Sequence, residues 1–556
     1  MPSLLPSSGL DERASETGVL EAAQEINTEQ YPTGARLVAV ILALAICVFL
    51  MPLDMTIVAT AIPKITNDFG LSDLSWYASV YFMTVAGFQS SWGKAFRYFP
   101  LKPALLAAVA IFELGSVVAA TAHSSTVLII GRAISGFGAA GMSSGCFLVA
   151  GLIGPPQKRP IYIGIIGVAA STGAVTGPLI GGALTTALSW RWCFYINLPV
   201  GGVAALFLLI FFRTPASWKV KDETIMAKLW HLDPVGVTLV MTFCISFTLA
   251  LQYAGNGESW GSGKVAGLLV VFVAITAVFV LWEWYQGEHA MIPSRVTCQR
   301  DVAVSCAVTF FLSGGFFIAE YYLPTYFQAV EGVNALTSGI HYLPTIIASG
   351  LAIMAVGGIM SGTGVVTLYL QASGVISTIA AGLLYMLDLD TSMARWIGYQ
   401  ILWGVGSGMG MNVPILIGQT RVEPSDMSVV TSLVLLFQTL GGSFMVSAGQ
   451  AGFASTLRYS ILTEAPTVSP DLVITTGAAD LQNTFGPSVL HGVLVAYMDA
   501  LKVVFAVATA SRGVSFLFGL FMTWKKLDTA RLKSLGDPVQ SMEGGRRKVE
   551  CERQRG

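Results

Sequence analysis

The chain has 556 residues and a net charge of −1; 54% of the residues are hydrophobic and only 11% are charged. A soluble domain carries about 25% charged residues, so this composition cannot coat a water-facing surface of such size, and a soluble globular protein is excluded. The near-zero charge gives no basic footprint for nucleic acid.

The first 36 residues are polar and mostly acidic (Asp11, Glu12, Glu16, Glu21, Glu25, Glu29). They lack the basic start and short apolar core of a cleaved signal peptide, so the first long apolar run is expected to persist as a membrane span. A helix of about 20 apolar residues crosses roughly 30 Å of hydrocarbon. Runs of that kind predict fourteen spans, near 37–60, 76–96, 103–122, 127–150, 160–184, 194–213, 235–253, 264–285, 302–328, 340–360, 365–387, 396–418, 427–448 and 503–524. An amphipathic lead-in from Tyr497 to Lys502 is considered for the last of them.

Basic residues gather in cytoplasmic loops. With the N-terminus inside, 23 Lys/Arg fall in interior segments and 5 in exterior ones, while Arg132, Lys502 and Arg512 lie in or beside spans. An odd count would place the nine Lys/Arg from Lys525 to Arg555 outside. The bias therefore predicts an even count with both termini cytoplasmic.

The long interior connections 214–234 and 286–301 bracket spans seven and eight and suggest a 6 + 2 + 6 plan. The expected units are a cytoplasmic tail 1–36, a six-helix bundle 37–213, a central segment 214–301 with two extra spans, a second bundle 302–524 with an exterior loop 450–490, and a basic tail 525–556. Most of the seven cysteines lie in apolar runs and no two share an exterior loop. They are read as small buried residues rather than a disulfide framework.

Span five carries Gly164, Gly173, Gly177, Pro178, Gly181 and Gly182. Gly173, Gly177 and Gly181 recur every four residues and share one helix face, where small residues let a second helix approach closely. Pro178 has no amide hydrogen for the carbonyl of Ala174, so a bend is expected.

This run resembles the antiporter motif of the major facilitator superfamily, and the span count points to its drug:proton antiporter branch. Other stretches look similar: Leu53-Asp54-Met55-Thr56-Ile57-Val58 with Pro63 and Asp68-Phe69; Gly131-Arg132-Ala133 with Gly136 and Gly138; and Ser189-Trp190-Arg191-Trp192 with Ile196-Asn197 and Pro199. In the second half, Tyr321-Tyr322-Leu323-Pro324 with Tyr326-Phe327-Gln328, Phe437-Gln438-Thr439-Leu440-Gly441-Gly442, and Val473-Ile474 with Gly477-Ala478 look like fungal members. The resemblance implies an all-α membrane protein with two pseudo-symmetric six-helix bundles and two extra central helices. It implies bundles that rock around a midplane cavity, a proton gradient as the drive, and outward transport.

The loop after span two departs from the family pattern. It reads Gly93-Lys94-Ala95-Phe96-Arg97 with Lys102 beyond, so Arg97 stands where the family has an acid. A gating loop of Gly93, Lys94, Arg97 and Lys102 is still expected. The matching stretch Gly358–Gly364 has no basic residue.

Ionisable groups at mid-bilayer are costly, about 2.5–3.5 kcal/mol on insertion scales. Arg132 is the candidate proton-coupling residue, with Asp54 or Glu113 as its acidic counterpart. The plainer reading makes Asp54 an interfacial helix-end acid and Glu113 a structural partner. Glu320 and Tyr321, with Asn412 and Gln438, are candidate cavity residues; a carboxylate among aromatics suits a cationic or hydroxylated solute. Each could instead serve packing within the bundle. Arg512 has no assigned partner.

No Gly-x-x-x-x-Gly-Lys-Ser/Thr loop is present, and the five histidines are isolated from one another. An ATP-driven pump, a metal site and an enzyme are therefore not expected, and no cofactor is. The expectation is a monomeric, proton-coupled exporter in contact with lipid. Its cargo would be small amphipathic molecules, a fungal secondary metabolite or toxin or drugs. The plasma membrane is the expected location, with a vacuolar or vesicle membrane as the alternative. An importer, for instance of an iron chelate, and a non-transporting sensor are the competing readings.

Overall fold

Hydrocarbon offers the backbone no hydrogen-bond partner, so each apolar run must close its own bonds as a helix. The computed structural model describes residues 31–69, 74–215, 218, 220, 223–255, 257–476 and 478–526. The acidic N-terminal stretch before Tyr31, the basic tail beyond Lys526 with Cys551, and Gly477 lie outside them.

Among the described residues there are fourteen helices of fifteen residues or more. They are α1 (Gly34–Phe69), α2 (Leu74–Tyr98), α3 (Leu101–Ala120), α4 (Ser125–Leu152), α5 (Arg159–Ala187), α6 (Asn197–Phe211), α7 (Pro234–Gly255), α8 (Gly263–Gln286), α9 (Arg300–Ala329), α10 (Ala335–Thr363), α11 (Thr367–Tyr385), α12 (Met393–Gly410), α13 (Met427–Glu464) and α14 (Pro487–Gly519). Several start at side chains that accept an orphan amide: Ser124 from Val127, Ser262 from Val265 and Asn334 from Thr337.

Thirteen of the helical segments are long and apolar enough to cross a membrane. The exception is α2, whose hydropathy is lowered by Gln89, Ser90, Ser91 and Lys94. All four are buried and bonded, so their polarity faces protein rather than lipid. At the other extreme, α8 is apolar all round and buries little beyond Val265 and Phe279, as a lipid-facing helix does.

The packing repeats with a shift of eight helices. α1 packs on α5 and α6, α2 on α4, and α3 on α4 and α6; α9 packs on α13 and α14, α10 on α12, and α11 on α12 and α14. The two sets meet along α5–α10 and along α2–α13. The hairpin α7–α8 covers the second seam through Phe243, Phe247 and Phe272, which cluster around Phe444 of α13. Its flanking loops are stitched to α2: Ser90 Oγ donates to Met291 O at 2.6 Å, Ser91 Oγ to Leu232 O at 2.9 Å and Lys94 Nζ to His289 O at 2.6 Å.

The glycine face of α5 meets α1. A Cβ on Gly173 would strike the carbonyl of Phe49, one on Gly177 the hydroxyl of Thr56, and one on Gly181 the hydroxyl of Thr60. On the repeat-related pair, a Cβ on Gly441 of α13 would strike the carbonyl of Phe310 on α9. Gly164 faces Ile353 of α10 instead, and Gly182 has open space. Gly177→Val is therefore expected to lower the thermal stability of the purified protein by the about 1–3 kcal/mol typical of overpacking and to abolish transport. Gly182→Ala is the control that leaves both unchanged in a thermal melt and an uptake assay.

Several boundaries differ from expectation. Helix α13 runs on to Glu464 and α14 begins at Pro487, so the segment between them is shorter than the expected 450–490 loop. The polar residues of 490–502 sit on α14 itself, where Val493, Ala496, Leu501 and Val504 pack inward. Span twelve is broken: α12 stops at Gly410 and helix resumes at Val413–Arg421. Pro414 supplies the reason, since it cannot donate to the carbonyl four residues back.

The buried core is continuous across both halves at the end of the molecule that carries the described chain ends. There Val40, Phe96, Leu148 and Ile153 join Val302, Leu416, Leu433 and Leu436 in one cluster. At the opposite end the core divides. One cluster gathers around Ile57, Tyr77, Trp190 and Phe194, and another around Leu323, Tyr326, Trp403 and Phe505. The halves thus share one core at the tail end and keep separate cores at the other, where α5 and α10 still touch through Leu179 and Gly339.

Candidate functional site

Between the halves lies a cavity of about 160 Å³ walled by α1, α2, α4, α5, α9, α13 and the break after α12. Its surface is mostly apolar, with Met51, Met55, Phe82, Phe147, Phe316, Phe317 and Met411 contributing. Glu320, Asn412 and Gln438 are on the wall. Asn412 stands at the α12 break, where helix irregularity brings its amide against Gly167 of α5. Tyr321 is 62% exposed on α9, next to Glu320 but not among the residues that line this cavity. The neighbouring Tyr322 is buried in the second half against Phe453 of α13, because successive helix residues point about 100° apart.

Behind the α1 wall sits a fully buried charge cluster. The Arg132 guanidinium on α4 is ion-paired with the Asp54 carboxylate on α1. It also donates from Nε to Tyr77 O at 3.1 Å and from Nη1 to Asp54 O at 3.2 Å. The second carboxylate oxygen of Asp54 accepts from Asn197 Nδ2 at 2.9 Å, and the same amide reaches Ser116 Oγ at 3.1 Å. The guanidinium carbon lies 4.4 Å from the centre of the Tyr81 ring, a cation–π contact in a water-poor place. Tyr81 also lines the cavity, and its hydroxyl donates to Met51 O at 3.2 Å. One aromatic ring therefore touches both the cavity and the ion pair.

Glu113 is not the partner of Arg132. Both of its carboxyl oxygens are buried without a hydrogen bond, and the group lies against Gly201 of α6, where a Cβ would strike it. Arg512 is fully buried in the second half, 4.6 Å from the Trp403 ring centre, and donates to Ser407 Oγ at 3.1 Å. No carboxylate is ion-paired with it among the described residues.

The expected gating residues separate. Gly93 is at the inter-half contact, where a Cβ would strike Ser432 and the carbonyl of Ser428 on α13. Arg97 reaches across to Asp426 at 3.2 Å, and Arg295 meets the same carboxylate at 2.8 Å. Asp426 sits at the start of α13, where a helix dipole favours negative charge. Lys94 holds the linker at His289, and Lys102 caps α6 through Leu209 O at 2.6 Å, so neither contributes to the contact between halves.

Two sequence motifs meet at the opposite end. Trp190 Nε1 donates to Asp68 at 2.9 Å, and Arg191 lies over the Trp190 ring at 4.3 Å. They tie the end of α1 to the turn before α6.

Asn197, Tyr81, Asp426 and Arg295 had no assigned role in the sequence reading. Asn197 was visible inside a matched motif, and its signal was a polar side chain in an apolar span. The others required contacts between residues far apart in the chain.

This architecture, two helical repeats about a central cavity, defines a multi-pass membrane transporter. Residues 44–446 match the Major Facilitator Superfamily. The chain is 45% identical over 513 residues to the MFS-type transporter grgE of Penicillium sp, covering 91% of each. It is 43% identical to the probable efflux pump gsfJ of Penicillium aethiopicum, covering 93% of this chain and 92% of that one. To the MFS-type efflux pump MFS1 of Trichophyton rubrum it is 39% identical, covering 92% and 96%. The fold is similar to that of the human organic anion transporter MFSD10, with a TM-score of 0.56 at 13% identity over 88% of this chain and all of the other. It also resembles the Escherichia coli fucose:proton symporter FucP, with a TM-score of 0.53 at 12% identity over 87% and 98%. The chain belongs to the major facilitator superfamily.

Proposed function

We propose that the protein is a proton-coupled exporter of small amphipathic molecules, a fungal secondary metabolite among them, acting as a monomer in the plasma membrane with both termini in the cytoplasm. The observation that carries the coupling is the Tyr81 ring, shared between the cavity wall and the buried Arg132–Asp54 pair. A proton taken by Asp54 removes the charge that holds Arg132. The guanidinium then leans on Tyr81 and on the carbonyls it already contacts, and the cavity wall shifts with it. A solute pressed against Tyr81 works on the same contact from the other side.

Export is supported by the relatives named as efflux pumps and by the α5 glycine face closed on α1. The tail end is then cytoplasmic, the state described faces outward, and Arg97, Asp426 and Arg295 form the inner gate. The units 37–213 and 302–524 would rock as bodies, with 214–301 strapped to the first through α2.

The test measures accumulation of a cationic rhodamine dye in cells with and without the gene at two external pH values. Export by antiport predicts less dye in the expressing cells, and a larger deficit at the more acidic external pH. More dye in the expressing cells would mean import and sink the reading.

A further inference from the structure

The cavity presents hydrogen-bond acceptors almost without matching donors, and the reason lies in where its hydroxyl protons go. Tyr81 donates to Met51 O, Ser143 to Ala140 O at 3.1 Å, Ser171 to Gly167 O at 3.2 Å and Thr439 to Leu435 O at 3.1 Å. A hydroxyl has one proton and two lone pairs, so each of these four offers only lone pairs to the cavity.

Gln89 is held the same way round. Its Nε2 donates to Ser143 Oγ at 2.7 Å and Ser144 Oγ at 2.8 Å. Ser143 gives its proton to a backbone carbonyl, and Ser144 points its own at Gln89 O, 3.4 Å away, which matches the Gln89 amide as the donor to both. Gln89 Oε1 is left buried with no partner, as is Gln438 Oε1 on the facing α13. Glu320 adds a carboxyl group with no hydrogen bond or ion pair to a described residue, and no Lys, Arg or His lines the space. The amides of Asn412 and Gln438 are the donors that remain.

We infer that the cavity selects solutes with an apolar, ring-sized body carrying several hydroxyl or amine donors, neutral or cationic, and rejects carboxylated, sulfated and phosphorylated ones. Unpaired buried acceptors cost free energy until a donor reaches them, so a donor-bearing solute gains where its donor-free analogue does not. An anion would leave its own charge facing the lone pairs of the hydroxyl and amide oxygens. The inference rests on the export reading only in taking this cavity as the transport site.

The test uses the full-length protein purified in detergent and three probes of one shape: 2,7-dihydroxynaphthalene, 2,7-dimethoxynaphthalene and naphthalene-2,7-dicarboxylate. Equilibrium binding is read by ligand depletion. The diol is expected to bind about tenfold more tightly than the diether, the equivalent of roughly 1.4 kcal/mol, and the dicarboxylate to show no saturable binding. Gln89→Leu and Glu320→Leu should each weaken the diol about fivefold and leave the diether unchanged. A thermal melt equal to the parent's shows that each variant is folded, and Gln438→Leu provides a third variant on a separate helix. Absent binding of the diol, equal binding of diol and diether, or tight binding of the dicarboxylate overturns the inference. The binding order is independent of transport direction, so dye uptake that contradicts export leaves it standing, and a failed order leaves export standing.

Discussion

Replacing Arg132 with Met is expected to abolish pH-driven transport and to lower the thermal stability of the purified protein sharply. Removing one partner of a buried ion pair costs about 3–5 kcal/mol, because the remaining charge is stranded in low dielectric. Asp54 would keep only Asn197 as a donor. The coupled change Arg132→Met with Asp54→Leu removes both charges and should recover most of the stability. It should not recover transport, because no group would then exchange a proton behind Tyr81. Arg132→Lys is a third case. An ammonium keeps the charge but cannot span Tyr77 O, the Asp54 carboxylate and the Tyr81 face with one planar group. Partial stability with transport reduced about tenfold or more is expected. Thermal melts of the purified variants, set beside dye uptake in proteoliposomes under an imposed pH gradient, separate the two effects. If the double variant transported as the parent does, the pair would be structural alone.

Most of the helices were legible because lipid leaves the backbone few choices. Apolar length placed them. The errors fell where polar residues lie on a spanning helix. His491 and Asp499 interrupt the approach to the last span, so only Tyr497–Lys502 reads as an amphipathic lead-in, whereas α14 starts at Pro487 and its apolar residues form one inward stripe. The α12 break was written in Gly410 and Pro414 but was hidden inside an apolar run. In the candidate site, the residues placed on the cavity wall were those whose polarity had no local explanation: Glu320, Asn412 and Gln438. Glu113 was an equal candidate to Asp54 by residue type. Only the packing of α1, α4 and α6 around Arg132 separates them. The acceptor bias of the cavity was not legible at all, because it depends on which carbonyl takes each hydroxyl proton.

Asp426→Asn is expected to open the tail-end contact. The residue joins the halves by charge where the sequence had suggested that the acid was missing. The acid belongs to the second half, and the bases are Arg97 on α2 and Arg295 on the linker behind α8. Asp426 is nearly inaccessible, its side chain 2% exposed, while Arg295 is 45% exposed. The carboxylate, together with Glu288, holds the Arg295 guanidinium in its charged form and raises its pKa further. Neutralising Asp426 therefore leaves two cations close together, with only Glu288 on the Arg295 side to balance them. Loss of a close charge-assisted contact worth about 1.4 kcal/mol shifts a two-state balance about tenfold. A Ser143→Cys reporter in the cavity, on a Cys298→Ser, Cys551→Ser background, should then react about tenfold faster with an impermeant maleimide applied to the tail face. Uphill export should fall because the gate no longer closes against the gradient. Arg97→Gln should do less, since Arg295 still meets the carboxylate. Gly93→Leu, which drives a side chain into Ser432 and Ser428, should open the same contact by steric force and leave the charges in place. Unchanged labelling in both Asp426→Asn and Gly93→Leu would mean that the contact between α2 and α13 does not move during transport. The strap of α7 and α8 would then hold that seam shut, and motion would be confined to the α5–α10 side.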